Sequence, residues 1–143
     1  MDRGEWHDLL GRLAEQLEVI QSWESADPNP SALRCEHSAH RTLAHLRSCQ
    51  EQWLCVVIAF LEHNDPSVKI LHPWRQFEAE GYAILPWQDH MDKFLMDRRR
   101  WLALRGIADW NRGGKWNQKP DTVGGLTKRL ADHESHHLAV LNR

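Results

Sequence analysis

Two histidines near the end of the chain stand where a helix would bury apolar side chains. One stripe of residues recurs at spacings of three and four positions through this segment: Val123, Leu126, Leu130, His133, His137 and Val140. That spacing is typical of the buried seam of an amphipathic helix. Two buried imidazoles without polar partners would cost several kcal/mol. A divalent metal would satisfy both, because histidines at positions i and i+4 project from the same helix face.

The segment from His133 to His137 also reads HExxH, the motif of metalloprotease helices. In that motif two histidines hold zinc and the glutamate acts as a general base. Glu134 is therefore a candidate general base or a residue that positions a ligand, and a solvated helix face is the alternative. Catalytic zinc usually has a third protein ligand. The residues after His137 offer no conventional zinc-binding side chain, so the third ligand is expected upstream.

His45 is the preferred third ligand, because it occupies an apolar stripe of a predicted helix rather than a loop. The alternative is a hydrogen-bonded core histidine. Three histidines would leave a position on the metal for water or substrate, as catalytic sites do. Cys49 follows His45 by one helical turn, so it is either a fourth ligand or a buried structural thiol. His90 could line the interior, and His136 is placed at the surface or next to the site. His40 and His63 are placed at the surface.

Two helices are predicted in the first half of the chain. Apolar residues spaced by three and four positions indicate a first helix over residues 3–24, which a proline-containing connection ends. Ser31 or Ser38 would cap a second helix. This second helix runs to about Glu62 and carries a wide apolar surface, so it is expected to contact several neighbours.

A long crossover is predicted to follow the second helix. Residues 63–85 lack a clean period, and one short helical turn is expected near residues 74–80. Such a crossover allows the second and third helices to run parallel. The third helix is predicted over residues 86–106. Arg98 falls near its buried side and is expected to extend outward to solvent.

The last part of the chain is predicted as a polar loop followed by a fourth helix. The loop spans residues 109–121, and its tryptophans would either wall a pocket or anchor the loop. Asp121 or Thr122 would cap the fourth helix, which runs to about Leu141. Four helices with little strand potential predict an all-α protein, with a four-helix bundle as its architecture.

Length and composition favour one globular domain spanning residues 1–143. The formal net charge of −2 gives no global signal for binding polyanions, so no nucleic acid is expected as a partner. The longest apolar run, residues 54–61, is far too short to span a bilayer, so no membrane association is expected either. The three cysteines lack CxxC spacing and no signal peptide opens the chain, which predicts reduced thiols in the cytoplasm.

Ser38 near the start of the second helix is followed seven residues later by His45, and His133 and His137 stand close to the C-terminus. A glycine-containing start of the last helix, from Thr122 to Leu126, precedes that pair. In this pattern the chain resembles the DinB-like superfamily of metal-dependent proteins, which includes YfiT-like thiol transferases. The resemblance implies a four-helix bundle with a long crossover between helices 2 and 3, and frequently a homodimer. It also implies a zinc or nickel site formed by His45, His133 and His137.

The resemblance further implies a metal-dependent enzyme with a small-molecule substrate, such as a transferase that uses a low-molecular-weight thiol. The metal would lower the pKa of the thiol and present a thiolate nucleophile. A metal-dependent hydrolase, with a metal-activated water assisted by Glu134, is the first alternative. A non-catalytic, stress-associated metal-binding dimer is the second. A metallopeptidase is disfavoured, because no strand is predicted that could hold an extended peptide beside HExxH.

Overall fold

The computed structural model describes residues 1–23 and 38–141. Within these ranges the chain is mostly helical and carries one small sheet. The helices are α1 (Arg3–Gln21), α2 (Ala39–Glu62), α3 (Pro73–Ala79), α4 (Trp87–Leu102) and α5 (Val123–Leu141). The strands are β1 (Ser67–Val68), β2 (Gly113–Trp116) and β3 (Lys119–Thr122). The proline-containing connection, the candidate cap Ser31 and Cys35 lie outside the described residues.

Side-chain caps set the starts of the first two helices. Asp2 Oδ1 accepts a hydrogen bond of 2.8 Å from the backbone N–H of Glu5 at the start of α1. Ser38 Oγ accepts one of 3.1 Å from the N–H of Arg41 at the start of α2. Such caps satisfy amide groups that the first turn of a helix leaves unpaired. Ser38 is therefore the observed cap of α2, and α1 ends at Gln21 rather than near residue 24.

The crossover holds the predicted short helix, α3. His72 precedes it, and its Nδ1 accepts a hydrogen bond of 3.4 Å from the N–H of Trp74. Pro73 occupies the first helical position, where its missing N–H has no consequence. The predicted third helix appears as α4, which continues as a 3-10 turn over Ala103–Gly106.

The four long helices pack around apolar side chains. Helix α2 lies against both α4 and α5, and α1 contacts the same two helices. The main cluster includes side chains with almost no exposure: Trp6, Leu10, Leu13, Val56, Val57, Phe60, Trp101, Val123, Leu126 and Leu130. Each large apolar side chain that folding buries contributes about 1.5–3 kcal/mol. This packing holds the helices in place, and α2 and α5 thereby face each other.

The predicted polar loop at 109–121 was wrong in part, because β2 and β3 form an antiparallel hairpin there. Asn117 and Gln118 make its turn with positive φ angles of 48° and 68°. Two-residue turns of this kind usually carry Asn-Gly or Asp-Gly, so this pair gave little hairpin signal. Strand β1 pairs in parallel with β2, with Ser67 opposite Lys115. The prediction that no strand lies in this part of the chain, on which a metallopeptidase was disfavoured, was therefore wrong.

None of the described helices is both long enough and apolar enough to cross a bilayer.

Gly114 in β2 sits too close to its neighbours to carry a side chain. A Cβ there would lie 2.4 Å from the backbone oxygen of Pro66 and 3.0 Å from Cε1 of Phe60. We expect Gly114→Ala to lower the free energy of unfolding by about 1–3 kcal/mol, because the sheet must move away from α2. Urea denaturation followed by circular dichroism measures the change.

Gly11→Ala is the matched control for this substitution. A Cβ at Gly11, within α1, would meet no atom within 4 Å. Alanine is favoured over glycine inside a helix, so this variant should gain about 0.5–1 kcal/mol. Equal unfolding free energies for wild type and Gly114→Ala would mean that the sheet does not pack on α2 as described.

Candidate metal centre

Three imidazole nitrogens converge between α2 and α5. His133 Nε2 lies 3.2 Å from His45 Nε2 and 3.1 Å from His137 Nε2. Nitrogen ligands about 2.0–2.1 Å from a tetrahedral ion lie about 3.3–3.4 Å apart. The two distances through His133 therefore approach the spacing of nitrogen ligands on a single ion. The structure brings together all three histidines that the sequence predicted as ligands.

Helix geometry and packing place these rings. His133 and His137 are one turn apart on α5, and their ring centroids lie 4.5 Å apart. His45 projects from α2, and its ring centroid lies 4.8 Å from that of His137. Trp53 contacts the His133 ring edge-on, with 5.4 Å between the ring centroids and 76° between the ring planes. This contact restricts the orientation of the imidazole. The packing of α2 on α5 thus fixes the spacing between the ligands.

The environment keeps the imidazoles of His45 and His133 neutral. Burial, reinforced by the neighbouring His137, lowers the pKa of His45 to about 4. The same two causes lower the pKa of His133 to about 3. Both rings are therefore unprotonated near pH 7, and each has a nitrogen lone pair for a cation. Metal ligation requires this neutral form of histidine.

Cys49 is the fourth group at this point. Its Sγ lies 3.6 Å from His45 Nε2 and 3.9 Å from His133 Nε2. The side chain is 1% exposed. Burial, with a further contribution from the charge of Glu134, raises the pKa of Cys49 to about 12. The metal-free protein therefore carries a protonated thiol here, which excludes Cys49 as a free thiolate nucleophile at neutral pH.

A cleft of about 860 Å³ opens beside the histidines. His45, Cys49 and His133 line it together with side chains from the crossover, the hairpin and α5. The apolar lining residues include Trp53, Ile70, Leu71 and Trp116, and the charged ones include Asp121, Lys128, Arg129 and Asp132. A site that combines an apolar wall with a few charged groups is typical of small-molecule binding.

His72 was not identified from the sequence as a residue of this cleft. It lines the cleft from the crossover, and the His-Pro pair at the start of α3 is the sequence signal that could have identified it. Trp116 lines the cleft, with the guanidinium carbon of Arg129 5.4 Å from its ring centroid. Trp110, in contrast, stacks on Trp6 at 6.4 Å between centroids. One of the two loop tryptophans therefore walls a pocket and the other anchors the loop.

The solvated helix face considered for Glu134 was wrong. Glu134 is completely buried and forms an ion pair with Arg98, which is also fully buried rather than extended outward. Arg98 further donates to Gln50 Oε1 at 2.6 Å and to the carbonyl of Leu13 at 2.9 Å. Burial raises the pKa of Glu134 and lowers that of Arg98, and their mutual attraction opposes both shifts. Arg98 thus holds the carboxylate that HExxH would use as a general base.

The other histidines divide between surface and interior. His63 and His136 are exposed as predicted, and His136 also lines the cleft. His40 was predicted at the surface but is buried, with its ring 5.7 Å from that of Trp87, because the first turn of α2 packs on the start of α4. His90 is buried as well, with Nδ1 3.1 Å from a guanidinium nitrogen of Arg47. These contacts place His90 in the α2–α4 packing.

The arrangement as a whole can bind a divalent cation and a small molecule side by side. The imidazoles of His45 and His133 are neutral, His137 lies against His133, and the cleft gives access to His45 and His133. Comparison of the chain with protein-family models, with curated proteins and with solved structures found no match.

Proposed function

We propose that this protein is a DinB-like four-helix bundle whose centre of His45, His133 and His137 binds a divalent metal. The observation that carries the proposal is the short distance from His133 Nε2 to the Nε2 atoms of the other two histidines. It is 3.2 Å to His45 and 3.1 Å to His137. Imidazole ligands suit zinc and nickel, which are the proposed ions. The proposal also includes a homodimer and a cytoplasmic location, which the resemblance and the cysteine pattern imply.

The proposed activity is the transfer of a low-molecular-weight thiol to an electrophilic small molecule. A bound divalent ion lowers the pKa of a coordinating thiol, which is the chemistry that such a transferase needs. The apolar wall that contains Trp53 and Trp116 would hold the electrophile. Low-molecular-weight thiols carry carboxylates, for which Lys128 and Arg129 at the cleft are suitable partners.

The hydrolase alternative is less well supported. It would use Glu134 to activate water, but Arg98 holds that carboxylate and Glu134 is fully buried. The same observation weakens the metallopeptidase reading of HExxH. Asp132 and His136 are the remaining acid–base groups of α5 along the cleft. The non-catalytic alternative would require no substrate-sized space, and the cleft of about 860 Å³ beside the histidines favours an enzyme.

A thiol-conjugation assay tests the proposed activity. Protein purified without a His-tag or a nickel column is loaded with zinc or nickel and given a chromogenic aryl halide. A panel of thiols that includes glutathione, cysteine, bacillithiol and mycothiol supplies the nucleophile. We expect a metal-dependent rate above the uncatalysed reaction with at least one thiol, and loss of that rate on chelation and in His137→Ala.

The same preparation separates the alternatives. Hydrolysis of an ester panel without any thiol-dependent rate would favour the hydrolase. Stoichiometric metal with neither activity would favour the non-catalytic metal-binding protein. No bound metal in the wild type would overturn the proposed centre itself.

A further inference from the structure

We propose that Cys49 supplies a fourth protein ligand to this centre, so that the resting metal is bound by three imidazoles and one thiolate. The inference rests on the proposed three-histidine centre and adds a donor to it. The sequence left Cys49 open as a fourth ligand or a buried structural thiol. Its position in the structure favours the first.

The distances carry the argument. A tetrahedral ion about 2.3 Å from sulfur and about 2.0–2.1 Å from nitrogen places the two ligand atoms about 3.5–3.6 Å apart. The Sγ of Cys49 lies 3.6 Å from His45 Nε2 and 3.9 Å from His133 Nε2. The ligand atoms of His45, Cys49 and His133 are therefore spaced nearly as three corners of a zinc tetrahedron, and His137, whose Nε2 lies 3.1 Å from that of His133, would supply the fourth. His45, Cys49 and His133 alone already place their ligand atoms within 4.8 Å of one another.

The helices explain why the four groups meet. His45 and Cys49 are one turn apart on α2, as His133 and His137 are on α5. Each helix therefore presents two ligands from a single face, and the packing of α2 on α5 brings the two pairs together. When each of two helices supplies a pair of ligands spaced by one helical turn, the zinc site needs no ligand from a loop.

The surroundings of the sulfur also favour ligation. Cys49 is 1% exposed, and the hydrogen-bonding partners found for Sγ among the described residues are the two imidazoles of the centre. Cys49 also belongs to the main apolar cluster, so the contact of its Sγ with two imidazoles is what distinguishes it from a thiol that only fills the core. A bound divalent ion deprotonates a coordinating thiol outright, so a cation would convert this contact into a thiolate ligand.

A fourth protein ligand has a consequence for the proposed activity. Three-ligand sites keep a position open, whereas four protein ligands close the site unless the ion accepts a fifth. Cys49 lines the cleft but is 1% exposed, so a substrate thiol would bind as a fifth ligand or displace the Cys49 thiolate, which would then take the proton of the incoming thiol. The thiolate would also shift metal preference toward zinc and cobalt and away from ions that favour oxygen.

Cobalt(II) spectroscopy of the full chain tests the assignment. Cobalt adopts tetrahedral sites like those of zinc, and a thiolate ligand adds a sulfur-to-cobalt charge-transfer band in the near ultraviolet. We expect that band in the wild type and its loss in Cys49→Ser, with cobalt still bound through the histidines. Zinc affinity of Cys49→Ser, measured by competition with a chelator, should fall by at least about tenfold.

Two further variants keep the test decisive. Cys55→Ser is the matched control, because Cys55 lies on the same helix but is exposed, and it should leave the spectrum unchanged. A Cys35→Ser/Cys55→Ser double variant retains Cys49 as its single thiol and must still show the band. This variant tests the assignment even if Cys49→Ser does not fold.

The outcomes distinguish this inference from the proposed function. Cobalt bound by the wild type without the charge-transfer band, or a band that persists in Cys49→Ser, overturns the fourth ligand and leaves the three-histidine centre intact. Absence of cobalt and zinc from every protein overturns both.

Discussion

Zinc affinity is expected to fall by at least about 100-fold in each of three variants: His45→Ala, His133→Ala and His137→Ala. Removal of a ligand should lower the affinity more than removal of a residue that only hydrogen-bonds to a ligand, which costs about 10–100-fold. Each variant removes one of the nitrogens that meet at 3.1 Å and 3.2 Å around His133. His45 is the most informative of the three, because it comes from a different helix from the HExxH pair. Elemental analysis after dialysis gives the stoichiometry, and chelator competition gives the affinity.

Two exposed histidines are the controls for this experiment. His136→Ala removes an imidazole next to the ligand His137, with 5.6 Å between ring centroids, and His63→Ala removes one at the end of α2. Both variants should retain stoichiometric zinc, and circular dichroism should show unchanged helix content in all five proteins. Loss of zinc in the α5 variants but not in His45→Ala would show that His45 is not a ligand. A metal site formed by the HExxH motif alone would then be the better interpretation.

The three candidate ligand histidines could be identified from the sequence because their positions break an otherwise apolar stripe. His133 and His137 interrupt the seam that continues through the buried residues Leu126 and Leu130, and periodicity alone reveals this. His45 was identified in the same way from its stripe on α2. The helix that each residue occupies is a local property of the sequence, whereas the distance between the helices is not. The 3.2 Å contact between His45 and His133 therefore required the packing of α2 on α5.

The hairpin and the Arg98–Glu134 pair were missed for different physical reasons. The turn of the hairpin lacks the glycine that usually marks a positive φ, and its strands are only four residues each. Arg98 and Glu134 lie on the buried stripes of α4 and α5, where a lone charge is normally expected to turn outward. Their opposite charges could have suggested a buried pair, but only if the two helices were already known to face a common interior.

Replacement of either member of this pair should destabilise the protein strongly. We expect Arg98→Leu and Glu134→Leu each to lower the free energy of unfolding by about 3–5 kcal/mol, because each leaves a buried charge without its partner. Arg98→Leu also leaves Gln50 Oε1 and the carbonyl of Leu13 without their donor. Folded proteins are commonly stable by about 5–15 kcal/mol, so urea denaturation should detect either loss readily.

The double variant Arg98→Leu/Glu134→Leu separates a structural pair from a catalytic carboxylate. Two leucines at these buried positions leave no unpaired charge, so the double variant should recover part of the lost stability. Arg99→Leu, at an exposed neighbouring position, should change stability little. Glu134→Gln should keep zinc affinity, because Glu134 pairs with Arg98 and not with a ligand histidine. A Glu134→Gln variant of wild-type stability that binds zinc but loses activity would restore Glu134 to the general-base role that HExxH suggests.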